Sequence, residues 1–414
     1  MSQVSFRVLI LSNALAGGGA ERVARDMLEN ISNSACVLFE NEHEVEVHGK
    51  KIWVACSRKS GTLFGRTCIN LWRLVFIQLI KIRYRPTVTI SHLEGPNFAN
   101  LLSFGGGKKI IFVHNALSHS YRQRSKSDLT KSVLARLLYK HAFRVVGVSP
   151  FIREELEKVQ KINPRKVLFL ANPINIANIQ NAAAEEQLDW LGKLATLEYI
   201  ICVGSLTAQK NHQLALKVFK ALLRERRVLS NLKLVILGEG PLLGELKRFG
   251  ASLGLAIRTL DTSTRVEDAD WSADVFFVGF QTNPYPLMKH AQAFLMTSKW
   301  EGLPISILES LALGVPVVVS DCSSSIGLVM QSNEKSDQNQ KAAAAEQTEC
   351  GRIIFGRDES REEIEIWRES LEGVLGDARV SLEMHKKCLE AAKQFDVSRI
   401  KKDWDSHLLS VSAK

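Results

Sequence analysis

Glu301 and Glu309 are the residues of this chain whose type and spacing point most directly to chemistry. They are separated by seven residues in the run Lys299-Trp-Glu301-Gly302-Leu303-Pro304-Ile305-Ser306-Ile-Leu-Glu309-Ser-Leu-Ala-Leu-Gly314-Val-Pro316. Pro304 suits a first helical turn, where its missing N–H is no loss, and Gly314 followed by Pro316 stops the helix. Residues 315–320 then read as a buried strand. The free N–H groups of residues 303–306 and the positive helix end make an anion site beside the Glu301 carboxylate. Glu309, about one turn in, is placed to accept hydrogen bonds from a vicinal diol such as a ribose. Anion and diol together describe a nucleoside diphosphate. A packed loop-helix-strand with two solvated glutamates would give the same letters.

Other reactive residues sit at the ends of apolar runs. Gly17-Gly18-Gly19 follows the first and would let backbone approach a phosphate or sugar, or simply make a tight turn. A dinucleotide fingerprint fails on spacing, because Arg22 and Leu243 stand where the third glycines of Gly17-x-Gly19 and Gly238-x-Gly240 should be. Lys210 lies in a strand-to-helix loop, suited to offset charge on a departing diphosphate, although a lone loop lysine is equally compatible with simple solvation. His114 ends the run Ile-Ile-Phe-Val-His114, a position equally compatible with a structural hydrogen bond. Asp268-Ala-Asp270 invites a metal-binding reading, but lies in a polar loop beside Trp271 and reads as solvated. No His/Cys cluster has zinc spacing.

Five ordered blocks resemble a known family. They are Gly18-Gly19-Ala20-Glu21-Arg22, Val203-Gly204-Ser205…Lys210-Asn211, Leu237-Gly238-Glu239-Gly240, Gly279-Phe280-Gln-Thr-Asn283-Pro-Tyr285, and the two-glutamate segment. The chain resembles retaining glycosyltransferases of family 4, also called glycosyl transferases group 1, including members that build bacterial surface polysaccharides. The resemblance implies the GT-B fold: two facing Rossmann-like, doubly wound α/β domains, with a C-terminal helix crossing back to the first. Expected boundaries are 1–185 for an acceptor domain, 186–385 for a nucleotide-sugar domain and 386–414 for a helical segment.

The resemblance also implies roles. His114, Lys210 and Glu301 would be catalytic. Gly18, Gly19, Gly204, Ser205, Lys210, Gly238, Gly279, Phe280, Gly302, Leu303, Pro304, Ile305, Ser306 and Glu309 would bind the nucleotide sugar. The donor would be a nucleoside diphosphate sugar, UDP- ahead of GDP-, used without a cofactor or metal. The expected acceptor is a lipid-pyrophosphate-linked saccharide, with a soluble sugar or sugar phosphate as the alternative. Ser205 departs from the family, which places arginine there. The missing cation leaves Lys210 as the main positive charge and keeps open a non-catalytic binding partner with a weakened site.

Composition sets the compartment and the partners. The chain has 414 residues, enough for two or three domains, and seven cysteines without C-x-x-C spacing, which suits a reduced, cytoplasmic setting. The start lacks the apolar stretch of a signal peptide, and no run of eighteen apolar residues occurs. Residues 1–180 carry 26 Lys/Arg against 12 Asp/Glu, a net +14, whereas residues 181–414 carry 28 against 32, a net −4. Within 51–150 the balance is 17 to 2. Residues 71–84 interleave apolar and basic side chains, among them Arg73, Lys81 and Arg83, as a helix lying peripherally on an anionic membrane would. A helix packed on its own sheet is the alternative. Sparse aromatics and the lack of a recognised module argue against nucleic acid.

Alternation of short apolar runs with helical patterns positions these residues. Strands are expected at 6–11, 37–39, 52–55, 88–90, 110–113, 145–148 and 167–169, then at 199–203, 232–237, 275–278, 293–297 and 315–320. Residues 177–195 read as a polar interdomain connection, and 331–347 as a mobile surface loop or short exposed helix.

Overall fold

The computed structural model describes residues 7–15, 18–40, 47–56, 61–115, 117, 126–185, 189–225, 231–260, 270–332, 343–356, 359–376 and 378–406. The chain divides into two compact units, residues 1–174 with 397–414, and residues 175–396. That division lies ahead of the expected 185/186 boundary, and residues 386–396 stay with the second unit. The C-terminal helix Val397–Trp404 belongs to the first unit.

Among the described residues, unit 1 is built on seven parallel strands: β1 (Val8–Ser12), β2 (Ser34–Leu38), β3 (Lys51–Val54), β4 (Val88–His92), β5 (Lys108–Val113), β6 (Arg144–Gly147) and β7 (Val167–Phe169). Their order is β3-β2-β1-β4-β5-β6-β7. β1, β2 and β4 are buried along their whole length; β1 reads as a continuous apolar run up to Ser12, whereas β4 alternates Val88 and Ile90 with buried, hydrogen-bonded Thr89 and Ser91. β3 at the edge is half exposed. The order reverses between β1 and β4, and the loop holding Gly18 leaves the first of these strands.

The helix Leu63–Tyr84 is longer than the 71–84 pattern suggested. Thr62 caps it, its Oγ1 accepting from Gly65 N at 3.2 Å, and Arg85 ends it in the left-handed conformation at φ 50°. Ile77 and Ile80 pack with Leu9, Leu11, Val37 and Phe39 of the sheet. Its other side bears exposed Leu71, Trp72, Val75, Leu79 and Ile82, at helical spacing. Lys81 is a correction to the expected charged outer face. It is 3 % exposed, and its Nζ donates to Asn100 O at 3.1 Å, Asn100 Oδ1 at 2.9 Å and Ser103 Oγ at 2.8 Å. Burial pushes its ammonium down to a pKa of about 7, and neighbouring Lys109 adds to the shift.

Unit 2 carries β8 (Tyr199–Val203), β9 (Lys233–Leu237), β10 (Ile257–Thr259), β11 (Val275–Phe277), β12 (Ala293–Met296), β13 (Val317–Ser320), β14 (Ala344–Thr348) and β15 (Gly351–Phe355). They are ordered β10-β11-β9-β8-β12-β13-β15-β14. All pairs are parallel except β14–β15. Here too the chain works outward from β8 and then returns to its other side with β12. In doubly wound sheets that reversal point, at the carboxyl ends of the strands, opens the ligand crevice.

Two readings of polar stretches are corrected. Within 177–195 the chain forms the helices Ile176–Ala182 and Asp189–Ala195 in unit 2. Gln180 Nε2 of the first donates to Ala312 O at 3.1 Å. Residues 344–348 form an antiparallel edge strand, whose alternating exposure is that of a strand with one side in water. Residues 333–342 of the expected loop lie outside the described residues. Among the described residues, no helix is long and apolar enough to cross a membrane.

Candidate functional site

At the carboxyl edge of the unit 2 sheet, the loops after β8 and β12 meet across the reversal point. Lys210 Nζ lies 2.6 Å from Glu301 Oε1, with the two side chains 18 % and 7 % exposed. Gln209 Nε2 donates to Trp300 O at 2.9 Å and Glu301 Oε2 at 3.4 Å. Lys299 N donates to Gln209 O at 2.8 Å, while Thr297 Oγ1 donates to Asn211 O at 3.0 Å. The lysine loop is thus laced to the loop that carries Glu301. His212, also buried here, is pushed down to about 4 by burial and by the Lys210 cation, so it is neutral near pH 7.

The three glycines that end β8, β9 and β11 explain how the loops come so close. Gly204 N donates to Leu237 O at 2.9 Å, and Gly238 N to Gly279 O at 2.8 Å. A Cβ on Gly238 (φ +139°) would run into the Gly204 carbonyl, and one on Gly204 (φ +156°) would touch the Lys210 stem at 3.0 Å. Only glycine leaves room for that stem. Phe280 N donates to Glu239 Oε1 at 3.3 Å. Ser205 is exposed in the same loop.

The two-glutamate segment adopts a loop, the helix Ile305–Ala312 and strand β13. Pro304 is the residue capping the helix (φ −71°, ψ 111°), so the helical turn starts one position later than the sequence suggested. The amides of Ile305 and Ser306 belong to that first turn, at the positive helix end. Gly302 O accepts from Ser323 Oγ at 3.2 Å and from Ser325 Oγ, and Leu303 and Ile305 are buried, which fixes the loop. Glu309 is 2 % exposed and takes a hydrogen bond from Tyr285 Oη at 2.9 Å.

Gly18, Gly19 and His114 are in unit 1. Gly18 caps the helix Gly19–Asn30, with the Glu21 carboxylate folded over it. Burial raises the pKa of Glu21. Gly17 lies outside the described residues. His114 follows β5 and is 7 % exposed; its Nε2 is 3.0 Å from Nδ1 of His92, which ends β4 and is wholly buried. Burial pushes His114 down to about 3 and His92 well below the ordinary imidazole range, so one neutral ring donates to the other. Beside them Leu93 holds φ +70° and ψ 165°, a conformation that costs a non-glycine residue of order 1–3 kcal/mol. His114, Leu93, Glu94, Asn97 and Tyr139 line a small hollow of about 20 Å³.

The sequence reading overlooked Gln209, Tyr285 and His92. Gln209 and Tyr285 stood inside the family-like blocks without a role. His92 closes an apolar run as His114 does, and that repetition was its signal. Asp270 is exposed and accepts from Ser272 N at 3.0 Å and Ser272 Oγ at 2.6 Å, a local turn; Asp268 lies outside the described residues.

Comparison with known proteins bears on the family and the fold. Residues 17–178 match the model described as Glycosyltransferase Family 4, and residues 184–349 match Glycosyl transferases group 1. The chain is 27% identical over 413 residues to N-acetylgalactosamine-N,N'-diacetylbacillosaminyl-diphospho-undecaprenol 4-alpha-N-acetylgalactosaminyltransferase of Campylobacter jejuni, covering 96% of this chain and 97% of that one. Among solved structures it is similar to Anabaena HepE in complex with UDP-glucose (TM-score 0.68, 16% identity, 98% and 99% of the two chains covered). It is also similar to WaaG, a glycosyltransferase involved in lipopolysaccharide biosynthesis (TM-score 0.68, 15% identity, 97% and 99% covered). With a GT-B fold and family matches over both units, the chain belongs to the glycosyl transferases group 1 family, its first unit being the Glycosyltransferase Family 4 module.

Proposed function

We propose that this glycosyltransferase is a retaining enzyme. It would move a hexose or N-acetylhexosamine from a nucleoside diphosphate sugar, UDP- ahead of GDP-, to a lipid-pyrophosphate-linked saccharide in cell-surface polysaccharide assembly. The observation that carries the reading is the unit 2 constellation: Lys210 against Glu301, and buried Glu309 in a helix whose start presents the amides of Ile305 and Ser306. Glu309, oriented by Tyr285, accepts from the ribose diol. The helix amides and Lys210 receive the diphosphate, and Glu301 receives sugar hydroxyls. Gly204, Gly238, Gly279 and Phe280 border base and ribose. In the transfer, the bond from sugar C1 to the diphosphate oxygen breaks, and a bond from the acceptor oxygen to C1 forms on the same face. The acceptor proton passes to the departing diphosphate, whose charge Lys210 and the amides offset without a divalent metal. Neutral His114 acts on the donor sugar as a hydrogen-bonding group.

The diphospho-undecaprenol saccharide named as the Campylobacter relative's acceptor and the UDP-glucose bound by HepE support acceptor and donor class. The exposed apolar side of the Leu63–Tyr84 helix supports a peripheral position on the cytoplasmic face of a membrane. Ser205, where the family places arginine, favours a second reading, a nucleotide-sugar-binding partner that does not turn over. The test is a thermal-shift screen of UDP-, GDP- and ADP-sugars, followed by NMR assignment of the product anomer. Donor stabilisation with a retained anomeric configuration is the expected result. Donor binding with neither transfer nor hydrolysis would select the second reading, and inversion would reject the mechanism.

A further inference from the structure

A cationic hollow of about 670 Å³ opens in unit 1 at the amino ends of three neighbouring parallel strands, where the chain enters β5 at Lys108, β6 at Arg144 and β7 just after Lys166. This is the sheet edge opposite to the one from which His114 leaves β5, so it shares no residue with the candidate chemistry. Six of its ten lining residues are basic: Lys108, Lys109, His141, Arg144, Arg165 and Lys166. None of the ten is acidic.

Several of these cations are held in place without being neutralised. Lys109 Nζ donates to Leu101 O at 3.1 Å and Ser103 O at 2.5 Å, Lys166 Nζ to Lys140 O at 2.7 Å, and Arg144 Nη1 to Arg165 O. All of these acceptors are neutral carbonyls. Lysine has three donors and arginine five, so donors remain for a ligand. The Phe143 ring sits among them, with Lys108 Nζ at 4.9 Å and Arg144 Cζ at 5.3 Å from its centroid. A group of like charges gathered for packing alone would be expected to draw carboxylates, because its self-repulsion is otherwise unrelieved. Here the cations line a concavity within the size range of small-molecule sites. Guanidinium forks with several ammonium groups match the tetrahedral, multiply charged oxygens of phosphate better than a single carboxylate.

We infer that this hollow is a second anion site, for a phosphate-bearing group supplied either by an anionic phospholipid headgroup or by a free pyrophosphate-like anion. The test uses the full chain with Lys108→Gln, Arg165→Gln and Lys166→Gln combined. A charge-matched control carries Lys247→Gln, Lys289→Gln and Lys386→Gln in unit 2. Folding is checked by circular dichroism, and the single exposed change Arg165→Gln serves as a milder variant. Two ligands are measured: cosedimentation with phosphatidylglycerol/phosphatidylcholine vesicles, and thermal shift with sodium pyrophosphate. The hollow triple should lose about tenfold or more in affinity for at least one ligand, while the control stays near wild type. Loss for vesicles alone assigns the headgroup, and loss for pyrophosphate alone assigns the free anion. Equal weakening of the two triples, or none in either, overturns the site.

Discussion

Glu309 illustrates how a buried carboxylate can be kept ready for a ligand. Tyr285 Oη donates to one of its oxygens, and a carboxylate can accept several hydrogen bonds, as a diol would require. Glu309→Ala should weaken donor binding by about 1.5–3 kcal/mol, the range for hydrogen bonds to charged groups, and Tyr285→Phe by about 1 kcal/mol. Calorimetry on folded variants measures both; unchanged donor affinity in Glu309→Ala would remove the ribose role. His114 makes a different prediction. With a pKa of about 3 it stays neutral at every pH where the protein is assayed, so no ionisation of His114 should appear in the rate between pH 5 and pH 9. Imidazole carbon and nitrogen shifts followed over that range should be flat, and a titration near 6.5 would contradict the neutral pair with His92.

At the scale of elements, the Leu63–Tyr84 helix has two apolar sides, and that changes which residues can meet a membrane. Replacing Leu71, Val75, Leu79 and Ile82 together by glutamine should reduce binding to anionic liposomes without unfolding the chain, because all four are exposed. Cosedimentation reads the difference, and equal pelleting of variant and wild type would remove this stripe as the contact. Lys81, by contrast, acts on stability. Its folded-state pKa is lowered, so above about 7 the folded chain has released a proton that the unfolded chain keeps up to about 10.4. Stability should therefore rise between those pH values and carry the full burial penalty below them. In Lys81→Met that rise should vanish, and parallel melting curves of wild type and variant from pH 7 to 10 would refute it.

For the whole molecule, the charge carriers proposed for the diphosphate are protein groups, Lys210 and helix amides. Transferase activity should therefore survive EDTA, measured as product formed from the donor that stabilises the protein. A complete loss reversed only by manganese or magnesium would contradict that mechanism. Donor binding should also stabilise the folded chain by mass action, by about 2.7 kcal/mol at a hundredfold excess over Kd, and so raise its melting point.

What the sequence determined by itself follows from local physics. Continuous Val/Ile/Leu runs become strands because a parallel sheet is covered on both faces, and Gly314 with Pro316 ends the signature helix. The family-like blocks marked Lys210, Glu301 and Glu309, and the end of an apolar run marked His114. Tertiary structure decided the partners. Lys210 and Glu301 are ninety-one positions apart, and only the return of the chain to the far side of β8 brings their loops within 2.6 Å. The His92–His114 contact likewise depends on β4 and β5 lying side by side. Lys81 shows the limit most plainly. Its letters read as a solvated cation on a basic helix, yet the carbonyl and side chain of Asn100 and the hydroxyl of Ser103 satisfy its ammonium inside the fold. Periodicity reports which side of a helix is apolar, whereas the neighbouring element decides whether a polar group on it meets water or a partner.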